Sequence, residues 1–410
     1  MKRFISVFLT VLILVCALSV CVMADGEDYA YDMEYYSKLK DKNITLYVYN
    51  WGEYISDGGD DTLDVIGKFE AVTGIKVEYT TFDSNESLYA KMKSGSASYD
   101  VIIPSDYMVS RLAKEGMLQK LDYSNIPNFD RYVDAEFKNP EYDPTNEYSV
   151  PYMWGTVGVI YNTKYVDEAD VGSWDLLWNE KYAGKILMFD NSRDAFAIAC
   201  SKLGYSMNTM NEDELRAAAE ELSKQSSVVQ AYVMDQIFDK MVAENAYIAP
   251  YYAGDYLTMS GDNEDLAFYI PKEGTNLFTD AMCIPATSMN KEAAEMFINF
   301  MCEPVISAAN SDYIWYSTPV SAAKELMDPE LAESEIAYPS AEVLAKTERY
   351  KSLSDEAYQL MDDLWISAVR TNELTVGFWI SVGIICVVSL AAVFRNVYVK
   401  KKRMEARMKY

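Results

Sequence analysis

The chain has 410 residues, carries 36 Lys and Arg against 63 Asp and Glu, and contains no His. This length supports two domains with appended segments. Without His, neither a Ser-His-Asp or Cys-His nucleophile nor a His-ligated metal site can be built, while chemistry by carboxylates remains open. Residues 1–24 hold two basic and no acidic residues, and residues 395–410 hold seven basic and one acidic residue, which leaves 27 basic and 62 acidic residues between positions 25 and 394. Such a body disfavours nucleic acid and favours cations, although an acidic surface also serves solubility alone.

Residues 1–24 have the composition of a secretion signal. Lys2 and Arg3 precede an apolar run that ends in small residues, with a cleavage point predicted after Ala24. Val20 stands before Cys21, where a lipoprotein signal normally requires a small residue, so lipidation is the less favoured interpretation. The run is also long enough to stay uncleaved as an anchor, and both versions leave the following residues outside the membrane.

Residues 25–42 are polar and rich in Tyr without a buried pattern, and we predict that they form a tether. Strands and helices then alternate, which predicts an α/β sheet with parallel strands and right-handed crossovers. The predicted strands are Ile44–Tyr49, Ile75–Tyr79, Tyr99–Ile103, Ile186–Phe189 and Tyr247–Tyr252. The predicted helices run from Leu63 to Val72, Ser87 to Gly95, Met108 to Glu115, Arg193 to Leu203, Glu212 to Lys224 and Lys291 to Cys302.

Two extended stretches, Val150–Thr156 and Asp280–Pro285, are suited to carry the chain between two lobes. A bilobal α/β body with more than one crossing strand predicts a hinged cleft, the usual place for a small ligand. Cys200, Cys283 and Cys302 are the Cys residues of this body, and three without a close pair do not indicate a disulfide framework.

Residues 375–394 form a run of 20 residues without a charge, which is long enough to cross a bilayer as a helix. The tail 395–410 holds seven basic residues and is predicted to stay in the cytoplasm. The sequence therefore predicts a cell-membrane protein whose ligand-binding body is extracytoplasmic and whose C-terminus is cytoplasmic.

Several runs within about residues 43–365 resemble the spermidine/putrescine-binding proteins of bacterial polyamine ABC transporters, which are extracellular solute-binding proteins. They are LYVYNWGEYI (46–55), GIKVEYTTFDSNESLYAKM (74–92), YDVIIPSDYMV (99–109), YSVPYMWGTVGVIYN (148–162), SWDLLWNEKYAGKILMFDNSRDAF (173–196) and YSTP (316–319). The resemblance implies a type II periplasmic-binding-protein fold, with polyamine held between closing lobes and delivered to permease subunits driven by a cytoplasmic ATPase. It implies no enzyme activity, metal or cofactor. Lobe 1 is expected at 43–155 and 279–324, and lobe 2 at 156–278 and 325–368.

The resemblance also matches individual positions to ligand contacts. Binding an organic cation requires carboxylates for its ammonium groups and aromatic faces along its methylenes. The predicted ligand-binding residues are Trp51, Tyr54, Ser105, Tyr107, Asn191, Asp194, Tyr252, Asp255, Phe278, Asp280 and Tyr316. Asp280 is expected to be the main ammonium partner. Asn191 stands where the family has an acid and Asp194 where it has Glu, which leaves the preference between spermidine and putrescine open.

Four further expectations complete the site. Asp106 is expected to cap a helix rather than to bind ligand, Arg193 to brace its loop, and Asp255 to be either a compensating charge or a surface acid. Tyr350 lies near a family Gln in a weakly aligned stretch.

Two other functions remain open from the residues. One is a glycosidase-like enzyme that uses two carboxylates, and the other is a binding protein for a sugar or for iron on the same fold, for which Tyr251-Tyr252 is a candidate Tyr pair.

Overall fold

The computed structural model describes residues 29–59 and 62–370. Within that part of the chain, no helix is both long and apolar enough to cross a membrane. The predicted signal 1–24, the predicted span 375–394 and the tail 395–410 lie outside the described residues. The account below therefore concerns the body of the protein.

Ten strands are present: β1 Thr45–Trp51, β2 Lys76–Phe82, β3 Val101–Ile102, β4 Ser149–Asn162, β5 Ile186–Phe189, β6 Val229–Val233, β7 Ile248–Tyr252, β8 Leu266–Tyr269, β9 Thr275–Cys283 and β10 Thr347–Glu348. This count of strands covers the described residues only. Each predicted strand corresponds to one of them with ends shifted by at most a few residues, and β5 has the predicted bounds. The extended stretch predicted at Val150–Thr156 lies within β4. The stretch predicted at Asp280–Pro285 overlaps the end of β9 and continues two residues beyond it.

The α-helices of the described residues are α1 Met33–Tyr36, α2 Val65–Thr73, α3 Asn85–Ser94, α4 Asp106–Lys114, α5 Pro127–Tyr132, α6 Ser192–Lys202, α7 Glu212–Gln225, α8 Ile237–Val242, α9 Ala253–Asp262, α10 Lys291–Met301, α11 Pro304–Ile314, α12 Pro329–Ala332, α13 Ala341–Leu344 and α14 Asp355–Trp365. A π-helical turn, Ile366–Arg370, follows α14. Short 3₁₀ helices occupy Lys40–Lys42, Tyr123–Asn125, Ala135–Phe137, Glu168–Asp170, Trp174–Trp178, Glu180–Tyr182 and Ser321–Ala323. The six predicted helices are confirmed as α2, α3, α4, α6, α7 and α10.

The chain divides into two compact units. Among the described residues, unit 1 comprises those up to Gly155 together with Thr279–Tyr338, and unit 2 comprises Thr156–Phe278 together with those from Pro339 to Arg370. In this division the chain returns to unit 2 after Tyr338, 14 residues later than the boundary predicted at 324. The reason is visible in the last segment of unit 1, where the Ala337 carbonyl accepts from Ser317 and Tyr338 stacks edge-on against Trp154.

Unit 1 is built on a parallel sheet. β1 lies between β2 and β3 and is parallel to both, and β3 pairs antiparallel with the end of β9 through Ile102 and Cys283. The helix α2 joins β1 to β2, where Asp64 caps its first turn and Gly74 ends it with a φ of 74°. A left-handed residue of this kind favours Gly because a Cβ would be strained there. The interior is filled by apolar side chains such as Leu46, Val48 and Phe69, none of which is exposed.

Unit 2 has a mixed sheet. β5 is parallel to β6 and to β7, while β7 and β8 each pair antiparallel with β4, and β10 adds to the start of β9. The close approach of β4 and β8 depends on Gly158, because a Cβ at this position would lie 2.3 Å from the ring of Phe268. The interior side chains of β5 and the buried face of α6 form the core against which α7 and α14 pack.

The Tyr-rich segment predicted as a tether is a docked part of unit 1 from residue 29 onward, and residues 25–28 lie outside the described part. The two carboxylate oxygens of buried Glu303 accept from the hydroxyls of Tyr29 at 2.6 Å and Tyr36 at 2.7 Å. Tyr31 stacks on Phe300 at 5.6 Å. Tyr buries its ring while its hydroxyl finds an acceptor, so a segment without an aliphatic pattern can still be anchored.

Removing one of these hydroxyls should destabilise unit 1. Tyr36 is fully buried, and burial together with the Glu303 charge raises its pKa well above the usual value. Tyr36→Phe leaves one oxygen of a buried carboxylate without its donor, which should cost about 1–3 kcal/mol in the free energy of unfolding. Urea unfolding measures the change. Tyr89→Phe is the matched control, because Tyr89 donates to Glu115 at the surface and should cost less than about 0.5 kcal/mol. Equal costs for the two variants would contradict this assignment.

A second prediction concerns pH. Burial raises the pKa of Asp312 to about 6, although its carboxylate accepts from the Asp328 backbone N–H at 2.9 Å. Because the folded state holds this proton more tightly than the unfolded state, the group stabilises the fold increasingly as the pH falls from about 6 to about 4, and the stabilisation is lost as the pH rises through 6. Asp312→Asn should therefore raise the Tm by a few degrees at pH 7.5 and should lose this advantage near pH 4.5. Parallel Tm profiles for variant and parent between these pH values would exclude the proposed ionisation.

Candidate functional site

The ends of three parallel strands bring candidate residues together in unit 1. Trp51 and Phe82 are the last residues of β1 and β2 and face each other in register, with their ring centroids 4.5 Å apart. Ser105 follows β3. The carboxyl ends of parallel strands meet at one edge of a sheet, the usual position of ligand sites in open α/β folds. We call the residues at these strand ends and in the turns after them the carboxyl edge of unit 1.

Asp280, which lies within β9, is a buried carboxylate next to this edge. It is 4% exposed, and its two oxygens accept from the hydroxyls of Tyr54 and Ser105, each at 2.6 Å. Ser105 also forms an isolated antiparallel bridge with Asp280. Asn85, at the start of α3, holds Ser105 from the other side through two hydrogen bonds of 3.0 Å. These contacts fix the carboxylate in one orientation.

Tyrosine rings surround this carboxylate. Tyr54 makes edge-to-face contacts with Tyr316 at 5.1 Å and with Tyr152 at 5.4 Å. The Tyr152 hydroxyl donates to the Tyr54 carbonyl at 2.7 Å, and burial, followed by the nearby Tyr79 and Asp280, raises the pKa of Tyr152 well above its usual value. The structure therefore groups the predicted residues Tyr54, Ser105, Asp280 and Tyr316, and it adds Tyr152, whose position in the middle of an apolar strand gave no signal of this role.

The start of α4 differs from the prediction. Ser105 is the N-cap residue, and Asp106 is already the first helical residue, with a side chain that accepts from the Tyr107 N–H at 2.7 Å. The assignment of Asp106 as the cap is therefore wrong by one position, because Ser105 is the last extended residue before the helix, although its hydroxyl donates to Asp280 and makes no cap hydrogen bond. The Tyr107 hydroxyl donates to Glu86 at 2.9 Å. Glu86 was not singled out in the sequence, since an acid in a first helical turn is common.

In unit 2, the predicted carboxylate Asp194 is also buried and is 8% exposed. It lies in the first turn of α6, directly after β5. Asn191 is the N-cap residue: its side-chain oxygen accepts from the Asp194 N–H at 2.8 Å, while its amide nitrogen donates to the Asp194 carboxylate at 2.8 Å. This reciprocal arrangement satisfies a helix N–H and orients the carboxylate at the same time.

Two tyrosines complete the surroundings of Asp194. Its oxygens accept from Tyr350 at 2.8 Å and from Tyr252 at 3.0 Å. The Tyr252 ring contacts Phe278 edge-on at 5.3 Å and Phe189 at 5.4 Å. Tyr350 is distant in sequence from Asp194, so a weak alignment could not reveal the contact. Asn191, Asp194, Tyr252 and Phe278 thus lie in one group.

Arg193 braces this group, as predicted. It is 1% exposed, and its guanidinium donates to the Met207 carbonyl and to the Asn208 side chain, each at 2.8 Å. The same guanidinium lies 4.2 Å from the centroid of the Tyr350 ring. It therefore ties α6 to the segments that carry Met207 and Tyr350.

Asp255 has a more distant role. It lies half-buried in the first turn of α9, three residues after Tyr252. Burial raises the pKa of Tyr251 well above its usual value, and the Asp255 charge is the largest electrostatic contribution to that shift. The contribution that the structure shows for Asp255 is therefore an electrostatic one, on the neighbour of Tyr252.

The two units share a design: a buried carboxylate held by hydroxyl donors, beside aromatic rings. This chemistry suits a cation and disfavours an anion, which would require Arg or bare helix N-termini. Cys200, Cys283 and Cys302 are buried free thiols, and burial raises the pKa of Cys200 to about 12. In residues 29–59 and 62–370, no three acidic or Cys side chains are grouped so that they could hold a metal ion.

The model of the bacterial extracellular solute-binding proteins matches residues 96–347. The chain belongs to this family. Its members are solute-binding proteins and not enzymes. The fold of the chain is the α/β periplasmic-binding-protein fold.

Characterised relatives are similar over most of the chain. The spermidine/putrescine-binding periplasmic protein of Salmonella typhimurium is 37% identical over 314 residues, which cover 76% of this chain and 88% of that protein. Its Escherichia coli counterpart is 37% identical over 326 residues, 78% of this chain and 92% of that protein. The putrescine-binding periplasmic protein SpuD of Pseudomonas aeruginosa is 34% identical over 382 residues, 89% of this chain and 98% of that protein.

Solved structures of similar sequence have a similar fold. A putative spermidine/putrescine ABC transporter protein from Listeria monocytogenes has a TM-score of 0.74 at 38% identity and covers 79% of this chain and 98% of its own. The spermidine/putrescine substrate-binding protein PotD of Streptococcus pneumoniae has a TM-score of 0.67 at 37% identity, and it covers 80% of this chain and 98% of its own.

Proposed function

We propose that this protein binds a polyamine of the spermidine/putrescine class outside the cytoplasm and delivers it to an ABC importer. The observation that carries the proposal is the pair of buried carboxylates, Asp280 in unit 1 and Asp194 in unit 2, each oriented by hydroxyl donors. The relatives that are named as spermidine/putrescine-binding or putrescine-binding proteins support the same ligand class. The permease subunits of the importer, with their cytoplasmic ATPase, are the proposed protein partners.

A polyamine is a chain of methylenes that carries two or more ammonium groups. Each ammonium loses its water on binding, and a carboxylate already stripped of water and held in place offsets that loss. We propose that Asp280 and Asp194 take ammonium groups, while Trp51, Tyr107, Tyr252 and Phe278 flank the methylenes. Aromatic faces add apolar contact and cation–π attraction of about 0.5–2 kcal/mol each.

The residues fit the other candidate functions less well. Iron sites on this fold would use Tyr oxygens, but the Tyr252 hydroxyl donates to Asp194 and the raised pKa of Tyr251 opposes ionisation. A neutral sugar brings no positive charge to its site. Carboxylates buried beside it would have lost hydration without an opposite charge to compensate. The binding of an organic cation is therefore the better-supported proposal.

The proposal extends to the membrane. We propose that residues 1–24 direct secretion, that residues 375–394 span the cell membrane and that the basic tail 395–410 stays in the cytoplasm. The span would hold the binding body beside its permease and raise the effective concentration of one partner for the other. The supporting observation is the uncharged 20-residue run, followed by seven basic residues.

The first test of the ligand assignment is Asp280→Asn. The variant keeps the shape of the side chain but removes the charge, so a desolvated ammonium loses its partner. The affinity for spermidine should fall by about 2–5 kcal/mol in calorimetry. Asp100→Asn is the matched control: Asp100 is also 4% exposed in unit 1, but it precedes β3 and binds Ser288 at the opposite edge of the sheet.

The control should lose stability while it keeps its spermidine affinity. If Asp280→Asn binds spermidine as tightly as the parent, or if Asp100→Asn loses as much affinity, the assigned role of Asp280 is wrong.

A second test concerns ligand charge. Asn191→Asp keeps an N-cap oxygen for α6 and adds a negative charge next to Asp194, so it should raise the affinity for a triamine more than for a diamine. We expect the ratio of spermidine to putrescine affinity to rise about fivefold, since a third ammonium meets the added charge. Asn211→Asp, at the N-cap of α7, makes the same change in unit 2 away from Asp194 and should leave the ratio unchanged. An unchanged or lower ratio for Asn191→Asp would contradict this account.

A further inference from the structure

The turn that follows α6 carries a side chain that connects several parts of unit 2. Asn208 lies six residues beyond the end of α6 and is half-buried. Its amide oxygen accepts from the Lys351 N–H and from the Arg193 guanidinium, each at 2.8 Å. Its amide nitrogen donates to the Arg349 carbonyl at 2.9 Å and to the Glu348 carboxylate at 3.3 Å. An Asn amide has two donor and two acceptor positions, so these four contacts use all of them.

The contacts of Asn208 hold the backbone on both sides of Tyr350. The Arg349 carbonyl directly precedes this residue and the Lys351 N–H directly follows it. The strand β10 ends at Glu348 and does not include Tyr350. The Asn208 side chain therefore supplies the paired donor and acceptor contacts that a neighbouring strand would give at this position.

Tyr350 in turn holds one oxygen of the carboxylate in unit 2. It is 6% exposed, and its hydroxyl donates to Oδ1 of Asp194 at 2.8 Å. Oδ2 of the same carboxylate accepts from Asn191 and Tyr252 instead. Among the described residues, Tyr350 is the one hydrogen-bond donor to Oδ1. A displaced Tyr350 would therefore release this oxygen.

The turn is also anchored by contacts that do not involve the Asn208 amide. The Ser206 hydroxyl donates to Glu348 at 2.6 Å, and the Met207 carbonyl accepts from Arg193, in the first turn of α6, at 2.8 Å. The chain thus runs back from the end of α6 toward its start. Truncation of Asn208 removes the support of Tyr350 while these anchors remain.

We propose that Asn208 is a positioning residue of the ligand site: it fixes Tyr350, and Tyr350 fixes the Asp194 carboxylate for an ammonium group. The inference rests on the proposed function, because it takes Asp194 as a ligand residue. It adds a residue that acts through Tyr350 and not by contact with the ligand. A carboxylate that is already oriented loses less freedom on binding, so the loss of this support weakens binding.

The test is a double-mutant cycle in the full chain, measured by spermidine calorimetry in detergent. Asn208→Ala should weaken spermidine binding about fivefold, because the carboxylate is then less well oriented before the ligand arrives. In a Tyr350→Phe background, which already lacks the hydroxyl, the same change should weaken binding less than about twofold. A general loss of stability would instead weaken binding by the same factor in both backgrounds.

Asn263→Ala is the matched control. Asn263 is also half-buried in unit 2, and its side chain accepts from the Asp265 N–H at 3.0 Å and donates to the Val242 carbonyl at 3.2 Å. It follows α9, at the opposite end of that helix from Tyr252. Both alanine variants should lower the Tm by a few degrees, but the control should keep the spermidine affinity of the parent. If Asn208→Ala does not fold, Asn208→Asp, which keeps the oxygen acceptors and loses the donors, takes its place in the cycle.

An unchanged spermidine affinity for the Asn208 variant would overturn the proposal, and so would an equal loss in the parent and Tyr350→Phe backgrounds. A fluorine reporter separates the proposal from the proposed function. With 3-fluorotyrosine at position 350, fluorine NMR should give one narrow resonance in the parent and in Asn263→Ala, and a shifted or broadened resonance in the Asn208 variant.

This signal does not require a polyamine. A parent chain that binds no polyamine, with a fluorine signal that responds to the Asn208 substitution, would refute the ligand assignment while the placement of Tyr350 by Asn208 stands. A fluorine signal that does not respond would overturn the proposal, whatever the parent binds.

Discussion

The structure depends on two buried carboxylates, Asp280 and Asp194, and on the hydrogen bonds that hold them. A carboxylate removed from water loses several kcal/mol of hydration unless hydrogen bonds replace it. Asp280 and Asp194 each receive such bonds on both oxygens, mainly from Tyr and Ser hydroxyls. Hydroxyl donors stabilise a carboxylate without adding a positive charge. An Arg or Lys partner would neutralise it. In the proposed complex, an ammonium group of the ligand supplies the opposite charge.

The rest of the fold supports this arrangement. In unit 1, Ser105 follows a strand and starts a helix, so a single residue can hold Asp280 and be held by Asn85. In unit 2, Asn191 caps α6 and orients Asp194 with the same side chain, while Arg193 holds the neighbouring segment that carries Met207. Parallel strands make this possible because their ends place successive turns at one edge.

Much of this architecture could be predicted from the sequence, and the exceptions have physical causes. Helices with a clear apolar period, such as α2 and α10, were found because their burial follows from local pattern. The docked segment that contains Tyr36 was missed because Tyr carries no apolar period and its burial depends on Glu303, which is far along the chain. The strand β6 was missed because it is half-exposed and lacks a strong alternation.

The candidate site was also predicted only in part from the sequence. Strand-end reasoning and family resemblance together pointed to Tyr54, Ser105 and Asp280, which the structure brings into hydrogen-bond contact. Neither approach could show that Tyr350 holds Asp194, since that contact links distant parts of unit 2. The helix start at Ser105 was misplaced by one residue, because local rules assign an acid to the cap and take no account of a tertiary partner that uses the Ser hydroxyl.

Calorimetry of the full chain in detergent, with spermidine, putrescine, maltose and ferric citrate titrated in parallel, tests the central claim most directly. The account predicts saturable binding of at least one polyamine, weakened when the pH is lowered far enough to protonate carboxylates, and no binding of the sugar or the iron complex. Binding of maltose or ferric citrate with no response to any polyamine would contradict it, because the buried carboxylates would then have no cation to receive.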